Sequence, residues 1–350
     1  MCEVRRRRRW AGAKVNHGLG VELSSPERFD SVSSVASRLE EVAYLSDEAI
    51  STVVFLADRL GKPVLVEGPA GTGKTELAKS VAEITSSRLI RLQCYEGLDE
   101  SKALYEWNYR KQLLRIQAGG TASRDPSHNL GSSDDERGAP RQVSSSAGND
   151  DWQQVSEDIF SEEFLLERPL LAAIRSREPV VLLIDEVDRV EMEAEALLLE
   201  VLSDYQVSIP EMGTVRASQV PLVFLTSNNT RELSEALVRR CLYLHMDYPD
   251  VERERRIIRA RVPGISERLA DQVARIVRLV RTIDLKKQPS VAETLDWART
   301  LVLLGIETVG PDEARSTLQV LCKHASDIER ASKDLFSSDL MPGPEELGSR

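Results

Sequence analysis

Cysteine, histidine and aromatic residues are all scarce in this 350-residue chain, which holds four cysteines, four histidines and 5% aromatics. The cysteines stand apart at Cys2, Cys94, Cys241 and Cys322, with no CxxC pair. That spacing excludes a disulfide framework and a cysteine–histidine zinc cluster, and it points to unpaired thiols in a reducing cytoplasm. Long apolar runs are missing. Val180–Ile184 and Leu301–Leu304 are among the longest, far short of the roughly 20 residues that span a bilayer. An excess of positive charge is missing as well. The net charge is −11 and the sequence pI about 5.1, which excludes a protein that binds nucleic acid over its whole surface. The run Arg5–Arg9, followed by Trp10, has mixed, polar residues after it. It therefore reads as a solvated tail and not as a secretory signal.

What is present is ordinary for a globular chain: 41% apolar and 29% charged residues, enough for about two domains. Val32, Val35, Ala36, Leu39 and Val42 share one helical face, with Asp30 or Ser31 as its cap. Ile50, Val53, Val54, Ala57 and Leu60 form the next stripe, capped by Ser46 and ended by Gly61. Five short apolar runs then read as strands: Pro63–Glu67, Leu89–Cys94, Val180–Asp185, Leu222–Asn228 and Cys241–Tyr248. Runs apolar throughout suit strands of a parallel sheet buried on both faces. Helical patterns at Lys74–Ser86 and Val190–Ser203 make this an α/β order. Gln206–Ile209 and Thr214–Ala217 flank Pro210–Gly213 as a hairpin.

Ala118–Asp150 holds seven serines, five glycines, two large aliphatics and no aromatic. It cannot bury enough apolar surface to offset its ordering entropy, so it reads as a disordered insertion. After Pro249 the pattern is helical. One stripe runs Leu269, Val273, Ile276, Val277 and Val280; a second Val291, Leu295, Ala298 and Val302; a third Ala314, Leu318, Leu321 and Ala325. The expected organisation is a basic tail (1–30), an α/β core (31–248) carrying the insertion (118–150), a helical domain (249–335) and a second tail (336–350).

The chemistry begins at Gly68-Pro69-Ala70-Gly71-Thr72-Gly73-Lys74-Thr75, a G-x-x-x-x-G-K-T run between a strand and a helix. Glycines let the loop turn its N–H groups inward around a phosphate, and the helix N-terminus adds its dipole. The nucleotide-binding set is therefore Gly68 through Glu76. Within it Lys74 reaches the β- and γ-phosphates and Thr75 ligates Mg²⁺. Val180–Ile184 ends in Asp185-Glu186. Asp185 is the Mg²⁺ partner expected of such a loop, and Glu186 polarises the attacking water as a general base. Leu222–Asn228 ends in a polar residue, so Asn228 is placed between the γ-phosphate and that water. Arg239-Arg240 follows a short helix. Alone the pair reads as helix-end cations; with the other motifs Arg240 reads as an arginine supplied in trans to the γ-phosphate.

This ordered set resembles AAA+ ATPases, specifically the MoxR group, over about Arg28 to Ala325. Cys94–Gly97, Leu104–Tyr109, Asp158–Phe164 and Pro289–Trp297 resemble its CoxD-like branch. The resemblance implies a five-stranded parallel sheet of order 5-1-4-3-2 with a helical lid, Mg-ATP as cofactor, and a ring of identical subunits, a hexamer in the family. It further implies chaperone work beside a von Willebrand A domain partner. The client implied is a molybdenum-containing enzyme of the carbon monoxide dehydrogenase type, its metal centre assembled with this protein's help. One departure stands out. The lid's usual Ser-Pro-Arg-like segment is here Ser290-Val291-Ala292-Glu293, leaving Arg299 as the substitute nucleotide-sensing arginine. Two alternatives are a nucleotide-dependent switch with little turnover and a DNA-associated loader. Glu186 and Arg240 oppose the first. The net charge of −11 and the expected lack of a basic lid helix oppose the second.

Overall fold

The computed structural model describes residues 27–122 and 159–337. Arg5–Arg9, most of the 118–150 segment and residues 338–350 lie outside them. Helices α1 (Val32–Glu41) and α2 (Glu48–Leu60) lead into β1 (Val64–Glu67), α3 (Lys74–Ile84) and β2 (Arg88–Gln93). Next come α4 (Glu100–Ala103), β3 (Tyr105–Trp107) and α5 (Tyr109–Ala122), so α5 runs into the segment expected to be an unstructured insertion. The chain continues through β4 (Leu165–Glu167), α6 (Pro169–Arg175), β5 (Val180–Asp185), α7 (Met192–Asp204), β6 (Gln206–Ile209), β7 (Gly213–Arg216), β8 (Leu222–Ser227), α8 (Glu235–Arg240) and β9 (Leu242–His245). The helices α9 (Val251–Arg261), α10 (Glu267–Thr282), α11 (Val291–Leu303), α12 (Pro311–Leu321) and α13 (Ala325–Ser337) follow.

The main sheet has five strands in the order β2-β5-β8-β1-β9, all parallel. Counted among the sheet's own strands this is 2-3-4-1-5, the expected order read from its other edge. Alternation along each strand builds two cores. Val181 and Leu183 of β5 pack with Val64, Val66 and Phe224 under α1, α2 and α3. Val180, Leu182 and Ile184 pack with Leu65, Leu92 and Leu225 under α6 and α7. β6 and β7 pair as the expected hairpin. β3 and β4 form a second antiparallel pair that brings the chain back beside its exit point. The helices α9–α13 surround a separate core centred on Trp297, whose Nε1 donates to Thr317 Oγ1 at 2.8 Å. Among the described residues no helix is long and apolar enough to cross a membrane.

Several sequence expectations are corrected here. Asp47 caps α2 by accepting from the Ile50 amide at 2.8 Å; Ser46 bonds Ser51 instead. Residues 27–30 belong to the folded part. Phe29 is buried, and the Arg28 side chain, 7% exposed, pairs with Asp58 at 2.9 Å. The buried face of α11 is Thr294, Trp297, Ala298 and Leu301. Its neighbouring face, with Val291 and Leu295, is turned toward the cavity described below. Ala325 is exposed, because it starts α13 and does not continue α12. A basic lid helix does exist. α9 carries Arg253, Arg255, Arg256, Arg259 and Arg261, each ion-paired to a carboxylate, so its charge is locally neutralised.

Candidate active site

The phosphate loop leaves β1 at the carboxyl edge of the sheet and enters α3. Two of its glycines are required by close approach. A Cβ on Gly68 would lie 1.9 Å from the Met246 carbonyl oxygen, and one on Gly71 would lie 2.1 Å from Cβ of Ser290. Gly73 starts α3 without a side-chain cap, so the first amides of that helix remain available to an anion. Lys74 is buried. Its Nζ donates to the carbonyls of Gly68 and Pro69, both at 2.7 Å, and to Oδ1 of Asn228 at 2.9 Å. Burial holds its pKa below the ordinary lysine value, against the opposing pull of Asp188, Asp185 and Glu186.

β5 delivers the carboxylates. Asp185 Oδ1 accepts from Thr75 Oγ1 at 3.0 Å and from the Thr226 hydroxyl, while Oδ2 accepts from Arg91 at 2.5 Å. Thr75 Oγ1 and Asp185 thus offer two hard oxygens side by side. Among the described residues no cluster of three or more His, Cys, Asp or Glu could cage a metal by itself. A hydroxyl and a carboxylate that share the ion with phosphate oxygens fit Mg²⁺. Glu186 sits at φ +58, a strained conformation for a residue with a side chain. Its amide donates to Thr226 Oγ1, and its Oε2 accepts from Gln93 Nε2 at 3.1 Å and pairs with Arg189.

Asp188, one helical turn on and buried, fixes the next strand end. Its Oδ2 accepts from the amides of Asn228 and Thr230 and from the Thr230 hydroxyl. Burial raises its pKa, but those hydrogen bonds outweigh it, and the net value lies below the ordinary aspartate range.

Lys74, Thr75, Glu76, Asp185, Glu186 and Asn228 all line one cavity of about 500 Å³, together with Ala70 through Gly73. Gly68 and Pro69 lie outside its lining and serve through their carbonyls. Glu76 turns to the lid, pairing with Arg261 at 3.2 Å. Arg299 lines the cavity and pairs with Asp296. Arg240 does not line it. This arginine is exposed and donates to the Ala236 carbonyl, whereas Arg239 pairs with Glu235. The geometry therefore unites the predicted residues from Ala70 to Glu76 with Asp185, Glu186 and Asn228, and leaves Arg240 outside the cavity.

Sequence reasoning missed part of the lining. Ala43, Tyr44 and Leu45 from the α1–α2 connection, Arg253 and Arg261 from α9, and Arg91 from β2 all contribute. Tyr44 is buried and its hydroxyl pKa is pushed up by burial. Arg91 carried a readable signal. Arg91 and Gln93 alternate with buried Ile90 and Leu92 at the end of the strand beside β5. The pKa of the Cys94 thiol, buried just beyond, is pushed up to about 12 by burial.

The gas vesicle ATPase GvpN of Haloferax mediterranei is 27% identical over 255 residues, which cover 69% of this chain and 64% of that protein. GvpN1 of Halobacterium salinarum is 25% identical over 255 residues with the same coverage. The chain thus spans 64% of the length of these curated relatives. An uncharacterized protein of Staphylococcus aureus is 25% identical over 262 residues, 73% of this chain and 81% of that one. Among solved structures, the Thermotoga maritima RuvB Holliday junction branch migration motor is 17% identical, with a TM-score of 0.41 over 84% of this chain and 72% of that chain. Residues 64–246, more than half of the 350, match the family described as "ATPase family associated with various cellular activities (AAA)". With a phosphate loop, paired strand-end carboxylates and a five-stranded parallel sheet in place, the chain belongs to the AAA family of ATPases.

Proposed function

We propose that this protein is a MoxR-like chaperone that hydrolyses Mg-ATP in a ring of its own copies and uses the cycle to remodel a protein client. The observation that carries the reading is the split of the machinery. Lys74, Thr75, Asp185, Glu186 and Asn228 share one cavity, while Arg240 stands exposed outside it. A site completed by a neighbour's Arg240 would couple hydrolysis to assembly.

The roles follow from the groups. The α3 amides and Lys74 hold the phosphates, Lys74 exchanging its loop carbonyls for phosphate oxygens. Thr75 and Asp185 would hold Mg²⁺, which would supply charge neutralisation at the phosphates. Glu186 takes a proton from the attacking water. Asn228, pinned by Asp188 and bonded to Lys74, orients that water. Arg299, which lines the cavity, is the substitute candidate for the lid's nucleotide-sensing arginine.

The CoxD-like stretches support a metalloenzyme client, a molybdenum hydroxylase such as a carbon monoxide dehydrogenase, with a von Willebrand A protein as partner, all in the cytoplasm. The test co-expresses such a hydroxylase with wild-type protein or with Glu186→Gln and measures active-site metal per enzyme. Loading with wild type and a deficit with the variant is expected; equal loading in both overturns the client assignment. Phosphate release unaffected by Lys74→Ala would overturn the site itself.

A further inference from the structure

We propose that Arg91 is a cationic place-holder on Asp185, which a divalent ion must displace when metal-nucleotide binds. The inference deepens the proposed function and rests on its reading of Asp185 as the metal-facing carboxylate.

The Asp185 side chain is only 5% exposed, and among the described residues Arg91 is the one cation in direct contact with it, Nη2 to Oδ2 at 2.5 Å, with Lys74 adding a longer-range positive field. Its other oxygen is taken by the hydroxyls of Thr75 and Thr226, which bring no charge. A buried carboxylate is costly to leave without a partner, and the Arg91 guanidinium is the group that pairs with it here. The two partners differ in what they lose on separation. The Arg91 side chain is 48% exposed, so its guanidinium can return to water at little cost, whereas Asp185 cannot. Exchange of Arg91 for a divalent ion is therefore the movement the geometry allows. Arg91 lines the nucleotide cavity from the edge strand β2, so the exchange needs no change in the sheet.

The same cation shapes binding without metal. Polyphosphate approaching the cavity meets Asp185 already neutralised. With Arg91 removed, metal-free nucleotide meets a bare carboxylate, while metal-nucleotide meets a carboxylate free of a competitor. The measurable quantity is the ratio of Kd in EDTA to Kd in Mg²⁺, read by calorimetry with a non-hydrolysable ATP analogue.

In Arg91→Met the ratio should rise about tenfold, the worth of one charge-assisted hydrogen bond. Arg91→Gln keeps a polar chain that can still bond Gln93 and Asp185; it should raise the ratio likewise and stands in if the Met variant fails to fold. Arg91→Lys keeps the charge and should stay within about twofold of wild type. A ratio unchanged in both neutral variants, with Kd weakened equally in EDTA and Mg²⁺, overturns the place-holder and makes Arg91 a phosphate ligand or a structural residue. Wild-type protein that binds the analogue in neither condition would instead overturn the nucleotide site.

Discussion

The amide of Val291 donates to the carbonyl of Gly71 at 3.1 Å, seating the first turn of α11 directly on the phosphate loop. Ser290, the N-cap of that helix, lies over Gly71 so closely that no Cβ fits between them. The lid and the loop are thus one contact, and any movement of the lid is felt at the phosphates.

Gly71→Ala should therefore weaken nucleotide binding about tenfold and lower the melting temperature. Gly71 stands at φ +75, which costs an alanine about 1–2 kcal/mol before any clash. The added methyl also pushes Ser290 and the lid away. Gly71→Ala with Ser290→Gly removes the clashing Cβ, and glycine caps a helix nearly as well as serine. The double variant should recover part of the binding. Calorimetry on the three proteins decides it; a double variant no better than the single one would show that backbone strain alone is at work.

Glu186→Gln should bind ATP normally and turn it over about 100- to 10,000-fold more slowly, the range of a lost general base. The amide keeps its size and can still meet Gln93. Single-turnover assays with saturating protein separate this from a binding defect. Turnover within a few-fold of wild type would remove Glu186 from water activation.

The legible part of this molecule was local. A phosphate loop, an apolar strand ending in Asp-Glu and five short apolar runs are all contiguous patterns, so strand order and the Lys74–Asp185–Glu186 cluster could be drawn from sequence and resemblance together. What escaped was set by packing between distant segments. Arg281 and Glu254 form a nearly fully buried pair between α10 and α9, with Arg281 also donating to the Pro289 carbonyl just ahead of Ser290. No spacing in the sequence announces that 27-residue separation. The burial of Phe29 and the turn of Val291 toward the cavity were hidden for the same reason. A single helical stripe cannot tell a core face from a cavity face, because both are apolar.

Asp188 should matter to stability in a pH-dependent way. Replacing it with Asn removes the charge that three donors from Asn228 and Thr230 share, at a cost of about 1–3 kcal/mol. The folded pKa of Asp188 lies below its ordinary value of 3.8. Its contribution is therefore fully present above the unfolded pKa and is lost as pH falls through the folded one. Urea unfolding should show a wild-type advantage over Asp188→Asn that is flat from about pH 5 to pH 8 and shrinks toward pH 3. An advantage that grows on acidification would contradict the assignment of a stabilised carboxylate.

Arg240 carries the prediction that reaches furthest, because it concerns more than one chain. Its guanidinium bonds only the Ala236 carbonyl among the described residues, and it does not line its own cavity. Arg239 beside it is already paired to Glu235, so Arg240 is the better-placed donor to a neighbour. Arg240→Ala should still bind ATP and still assemble, yet lose about 1,000- to 100,000-fold in turnover, the worth of an arginine supplied in trans. A helix-end cation is worth at most about 2 kcal/mol, roughly thirtyfold, and cannot account for such a loss. Mixing Lys74→Ala with Arg240→Ala gives the sharper reading. Each variant is inactive alone, but mixed assemblies contain interfaces where an intact loop faces an intact arginine, and part of the activity should return. Rescue should peak near equal mixing, because that ratio places the most intact loops beside intact arginines. If subunits exchange and no ratio restores activity, the site is complete within one chain and Arg240 serves only to close α8.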